Sequence, residues 1–174
     1  MIKPFSLLGA LIMLASCGGD KLANYQEMQP KMDIREYFNG PIHAWGIVQD
    51  FSGKVVSRFD VKMVGAWDGD VGTLTEDFTY YDGSTQQRVW TITREGDDKF
   101  TGKAGDIIGE AKGKQVGNAV NWGYVMDVPV DDSTYRLRFD DWMWLMNDGV
   151  LINRTKMKKF GITVAELTIF MQKQ

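Results

Sequence analysis

The sequence predicts an all-β protein folded as a single antiparallel barrel of about eight to ten strands, with a short helix ahead of the first strand. Three observations carry this. Turn residues recur at short intervals: Ser52-Gly53, Asp68-Gly69, Asp82-Gly83, Gly96-Asp97, Gly105-Asp106, Gly117-Asn118, Asp131-Asp132, Asp148-Gly149 and Gly161. Several suit hairpins, where Gly or Asn accepts a positive φ. Between the turns, apolar and polar residues alternate with the period of a strand. Composition agrees: Gly 19, Phe 9, Tyr 6 and Trp 6 stand against only Pro 4, and no long helical pattern is present. A meander of this length leaves two exposed edges unless it closes, and closure removes both.

The head of the chain reads differently. Lys3 precedes an apolar run from Phe5 to Leu14, the length of a signal-peptide core and too short to span a bilayer. The run ends in Leu14-Ala15-Ser16-Cys17, and Cys17 is the only cysteine. This resembles the lipobox of bacterial lipoproteins. The resemblance implies a signal peptide over residues 1–16, cleavage before Cys17 and acylation of that residue. Each buried methylene of the acyl chains would add about 0.8 kcal/mol of membrane attachment. Gly18, where an Asp would imply retention at the inner membrane, implies the periplasmic leaflet of the outer membrane. With Cys17 acylated, no thiol is left for a disulfide.

Residues 17–30 read as a polar, flexible tether and 31–174 as the barrel domain. Pro30 stands where a helix can begin, and Met32, Ile34, Arg35, Tyr37 and Phe38 suit a short amphipathic one. Gly40-Pro41 ends it, and such a helix can plug one end of the barrel. The strands are expected at 42–50, 56–67, 72–81, 87–95, 98–104, 107–115, 119–128, 134–145, 150–158 and 163–172.

Alternation assigns an inner face. Leu74, Glu76, Phe78 and Tyr80 share one side of their strand, as do Arg88, Trp90 and Ile92 on the next. A hairpin through Asp82-Gly83 is expected to pair Tyr80 with Arg88, Phe78 with Trp90 and Glu76 with Ile92. On 134–145 the corresponding face carries Tyr135, Leu137, Phe139, Asp141 and Met143. A turn at Gly105-Asp106 would set Ala104 against Ile107, Gly102 against Gly109, and Phe100 against Ala111. That face is nearly bare of side chains. Two explanations stand: close packing of a curved sheet, or space kept for a ligand.

Several stretches together resemble a family of uncharacterised Gram-negative lipoproteins, DUF3833-like, with a lipocalin-like (calycin-like) barrel. They are Glu76-x-Phe78-x-Tyr80-x-Asp82-Gly83, Arg88-x-Trp90, Gly117-Asn118-Ala119, Asp140-Asp141-Trp142-Met143, Asn153-Arg154 and Lys159-Phe160-Gly161. The resemblance spans essentially the whole chain after Cys17. It implies the fold and carries over no catalytic residue; relatives often sit beside genes for fatty-acid modification. Trp45-Gly46 reverses the order of the Gly-x-Trp found near the first strand of lipocalins proper.

The net charge of −3 comes without a basic cluster, so nucleic acid is not an expected partner. His43 is the only histidine. No His-x-x-x-His or Cys-x-x-Cys spacing exists, and no metal, cofactor or catalytic residue is expected. The Gly-rich 102–117 stretch lacks the Gly-Lys-Ser/Thr of a phosphate loop. Glu76, Arg88 and Asp141 are the one chemical constellation, either a structural ion network or the polar end of a ligand site. The expected function is to bind a small apolar ligand, such as a fatty acid or lipid, on an outer-membrane lipoprotein. The ligand residues would be Glu76, Phe78, Tyr80, Arg88, Trp90, Gly102, Gly109, Phe139, Asp141 and Met143. Arg88 is the natural partner of a carboxylate head. Two alternatives stay open: an envelope-assembly lipoprotein with a filled barrel, and an enzyme acting on a lipid-like substrate.

Overall fold

A computed structural model describes residues 21–130 and 132–174. Cys17, the signal peptide and Asp131 lie outside the described residues. Ten strands form one closed barrel in simple meander order: β1 (Gly40–Asp50), β2 (Val55–Asp68), β3 (Val71–Tyr80), β4 (Thr85–Glu95), β5 (Lys99–Lys103), β6 (Ala111–Val116), β7 (Ala119–Val130), β8 (Ser133–Leu145), β9 (Val150–Lys159) and β10 (Ile162–Lys173). Every neighbouring pair is antiparallel, and β1 closes on β10 from Ile42↔Lys173 to Asp50↔Ala165. Alternation puts Ile42 and Ala44, Phe59, Val61 and Met63, and Leu151 inside, all buried. Hydrogen-bonding both edges of the meander to each other is what lets every strand present one apolar face inward.

The expected helix is present as one turn, α1 (Ile34–Tyr37). Asp33 caps it, its Oδ1 accepting from the backbone N–H of Arg35 (2.8 Å) and Glu36 (3.2 Å). Lys173 caps the other end: its Nζ donates to the carbonyls of Glu36 (2.9 Å), Tyr37 (2.7 Å) and Asn39. Ile34 and Phe38 are buried, so α1 plugs the barrel end that carries the β2–β3 and β6–β7 turns. The plug is seated on β2, where the Trp67 Nε1 donates to the Phe38 carbonyl at 3.1 Å.

Three expectations change. Residues 21–30 are docked on the barrel wall rather than free. Leu22 is buried, Tyr25 packs on Trp142 and Trp144, and Met32 N donates to the Gly117 carbonyl at 2.7 Å. The β3–β4 register differs from the expected one: Glu76 faces Arg88, Leu74 faces Trp90 and Phe78 faces Gln86. The reason is the turn, which pivots on Asp82 with Tyr80 N donating to the Ser84 carbonyl, so the pairing begins sooner than a turn centred further along would allow. The sixth strand starts at Ala111 instead of 107. Gly102 pairs with Ala111 and Phe100 with Gly113, and residues 104–110 form a long connection.

That connection fills a seam. β4 pairs with β5 only over Thr91–Glu95, and β7 pairs with β6 only from Ala119 to Gly123. The far halves of β4 and β7 therefore lack strand partners on their facing sides. The 104–110 segment lies between them, with Ile107 bridged to Met126 and Ile108 N donating to the Val125 carbonyl at 2.8 Å.

The seat of α1 gives a direct test. A Cβ on Gly65 would fall 1.7 Å from the Phe38 carbonyl oxygen, which is backbone and cannot swing aside. Gly65→Ala should destabilise the protein by about 1–3 kcal/mol, read as a lowered denaturation midpoint. An unchanged midpoint would show that α1 is not held against β2.

Candidate functional site

Beneath α1 the barrel holds a cavity of about 110 Å³. Its walls are mostly apolar, including Met63, Leu74, Phe78, Trp90 and Met143, with Ile34 and Phe38 as the cap. Glu76, Arg88, Asp141 and Asn153 supply polar lining. Each arrives by simple alternation: Glu76 lies between Leu74 and Phe78 on β3, and Asp141 between Phe139 and Met143 on β8.

The expected trio proves to be two separate polar groups. In the first, Arg88 lies between two acids. Its Nε and Nη2 donate to Asp106 Oδ2 at 2.9 and 2.7 Å, and its Nη1 stands 3.6 Å from Glu76 Oε2. The guanidinium also lies 5.4 Å from the centre of the Phe78 ring. In the second, Asp141 Oδ1 accepts from Asn153 Nδ2 and from Thr155 Oγ1, the latter at 2.9 Å. Both donors are buried on the inner face of β9.

Burial pushes the Glu76 carboxyl up to about 7, against the opposing pull of Arg88 and Trp90. It pushes Asp141 up to about 6, although hydrogen bonds from Asn153 and Thr155 favour the charged form. Glu76 Oε2 is buried and accepts no hydrogen bond. Its cationic neighbour is Arg88 Nη1 at 3.6 Å, beyond hydrogen-bond distance.

Of the sequence-predicted ligand residues, Glu76, Phe78, Arg88, Trp90, Asp141 and Met143 line the cavity together. The other four lie elsewhere. Tyr80 stacks on Phe78 and donates to Gln86 Oε1 at 3.1 Å. Phe139 stacks on Tyr124 at 4.8 Å and belongs to a second apolar cluster with Leu137 and Met157. Gly102 is buried, but a Cβ there would meet the rings of Trp90 and Trp122 at 3.3 Å. Gly109 is exposed in the 104–110 connection at φ +76, where open space surrounds it. The bare face is therefore explained by packing. Gly102 and Gly113 make room for aromatic rings, Trp122 lying 2.7 Å from where a Gly113 Cβ would be.

Sequence reasoning missed Asp106, Asn153, Trp122 and Tyr124. Asp106 reads as a turn residue; Ile107 beside it, which is buried, was the sign that this connection packs inward. Asn153 and Thr155 carry the inward period of β9 next to Leu151 and Met157, which marks them as buried partners.

The chain matches the family described as "Protein of unknown function (DUF3833)" over residues 11–173, and it belongs to that family. No curated protein matches it.

The two raised carboxyls set a pH dependence. Each binds its proton more tightly folded than unfolded, so their contribution to stability is complete below the ordinary carboxylate range. It falls as pH rises through about 6 for Asp141 and about 7 for Glu76. Melting temperature should drop between pH 5 and pH 8, and Glu76→Gln should flatten the upper part of that drop. An unchanged slope in the variant would place the titration elsewhere.

Proposed function

We propose that this protein is an outer-membrane lipoprotein, anchored through Cys17, whose barrel binds a small apolar ligand with one polar end. The observation that carries the reading is the buried Glu76 Oε2, which lacks a hydrogen-bond donor at the wall of an apolar cavity. A site of this kind takes an apolar body and fixes its direction through few polar atoms. A ligand hydroxyl would donate to Glu76. Arg88 already serves two carboxylates, so a free fatty acid would compete with Asp106 for it. An alcohol or a partial ester of a lipid fits better than the acid.

The size of the cavity favours a second reading. Pockets for drug-sized ligands run to about 300–1,000 Å³, and a cavity of about 150 Å³ takes benzene. A space of 110 Å³ takes the end of a chain, and a longer ligand needs the 104–110 seam to part. A barrel whose interior is already filled by Trp90, Trp122 and Tyr124 would instead act through its outside, as an assembly lipoprotein does.

Titration with matched long-chain alcohols and acids at pH 8 separates these readings. Glu76 is then largely ionised, accepts from a hydroxyl and repels a carboxylate. The alcohol should bind at least tenfold more tightly than the acid. Met63→Trp, which fills the cavity, should abolish binding without loss of fold. No response to either ligand, with nothing extracted from protein taken from its own membrane, would leave the filled-barrel reading standing.

The anchor is tested independently. Cys17→Ser should lose incorporation of a fatty-acid label and accumulate as the longer precursor. Undiminished label on the variant would end the lipoprotein assignment.

A further inference from the structure

The barrel end opposite α1 carries large apolar residues at its hairpin tips. Phe160 is 94% exposed and Ile162 71% in the β9–β10 turn region, and Phe51 is 87% exposed in the β1–β2 turn. Val55 and Val56 follow Phe51, and Tyr81 sits in the β3–β4 turn, all exposed. Because β9, β10, β1, β2, β3 and β4 are successive neighbours around the barrel, these three turns form one continuous arc of the rim. Turns are ordinarily polar or glycine-rich. Phe160 departs furthest, since its φ of 51 is a left-handed conformation that a bulky side chain adopts only at a cost. Its ring is met only along one side, by Lys159 Nζ at 5.7 Å, and strain of this kind at an exposed side chain points to function.

We propose that this arc is a membrane-docking surface, inserting its tip residues into a phospholipid bilayer that carries anionic lipid. The charge arrangement fits that occupant. Lys159 lies over the rings of Tyr135 (4.2 Å) and Phe160 (5.7 Å), and Arg58 over that of Tyr81 (4.7 Å). Lys54 stands in the same turn as Phe51. The rim acids Asp50, Asp60 and Asp82 are exposed but hydrogen-bonded within or beside their turns. Asp50 accepts from Ser52 and from Lys54 N, Asp82 accepts from Ser84, and Asp60 accepts from the Tyr81 hydroxyl. Apolar tips flanked by cations match the acyl layer and the headgroup layer above it. This surface is distinct from the cavity, and it stands or falls without the ligand reading.

The test uses the full chain with Cys17→Ser, so that an introduced thiol is unique. One variant carries an environment-sensitive probe at Ser52→Cys beside Phe51. The control carries it at Asp97→Cys, in the β4–β5 turn at the α1 end. Both are titrated with vesicles of mixed phosphatidylcholine and phosphatidylglycerol with brominated acyl chains. Quenching at position 52 should exceed that at position 97 at least twofold, and Phe51→Ser with Phe160→Ser should remove the difference. Equal quenching at both positions would overturn the proposal, as would a difference that survives the double substitution. A probe response at position 52 that grows with protein concentration in the absence of vesicles would assign the arc to self-association and also overturn it.

Discussion

The interior depends on Arg88. It is the only cation lining the cavity among the described residues, and two acids converge on it from different places in the chain. Glu76 comes from the neighbouring strand, directly across the β3–β4 ladder. Asp106 comes from the connection that fills the seam. A charge this buried persists only when paired, so the pairing and the closed wall depend on each other. Without the 104–110 connection, Arg88 would keep one distant carboxylate at 3.6 Å. Without Arg88, Glu76 and Asp106 would each lose a partner, and the connection would be held on the β4 side by nothing polar.

Aromatic bulk fills what the charges leave. Trp90 on β4 and Trp122 on β7 approach to 6.5 Å between ring centres, although β5 and β6 stand between their strands there. They can meet because β5 contributes Gly102 beneath both rings and β6 contributes Gly113 beneath Trp122. Small residues on one wall thus set the size of side chains on the opposite walls. The same exchange appears at β1, where Gly46 leaves room for the ring of Phe59. What remains empty is the space under α1, the one region roofed by a single helical turn instead of strands.

Much of this was legible in the sequence. Nine of the ten strands lie within about two residues of their expected bounds, because alternation and turn residues act locally and agree with each other. The inward direction of Glu76, Arg88 and Asp141 followed from period alone. Register was not legible to the same degree. Asp82-Gly83 marks a turn without saying which residues bracket it, and moving the pivot exchanged the partner of Arg88 from Tyr80 to Glu76. Gly105-Asp106 misled for a similar reason. Its dipeptide suits a tight hairpin, but Ile107 gains more by packing on β7 than by continuing β6, with Ile108 N hydrogen-bonded to Val125, and long-range burial overrode the local signal. The docking of residues 21–30 depends on Leu22 and Tyr25 finding a surface on β6, β7 and β8, which a short polar segment does not announce.

The two ends and the seam differ in what holds them. The α1 end is closed by Ile34 and Phe38 beneath a backbone clasped by Lys173 and Trp67. Toward the opposite end, the interior is filled by Leu137, Phe139 and Met157, with Tyr124 stacked against Phe139. The seam has no ladder. On one side it is held by the Arg88–Asp106 pair, on the other by one bridge at Ile107 and one hydrogen bond from Ile108. Opening an end requires exposing several large apolar side chains at once, each worth about 1.5–3 kcal/mol of burial. Opening the seam requires one ion pair and one bridge to part and exposes chiefly Ile107. Local opening follows the least costly route. The seam beside Arg88 is therefore the part of the wall held by the fewest interactions, and the two ends are held by more.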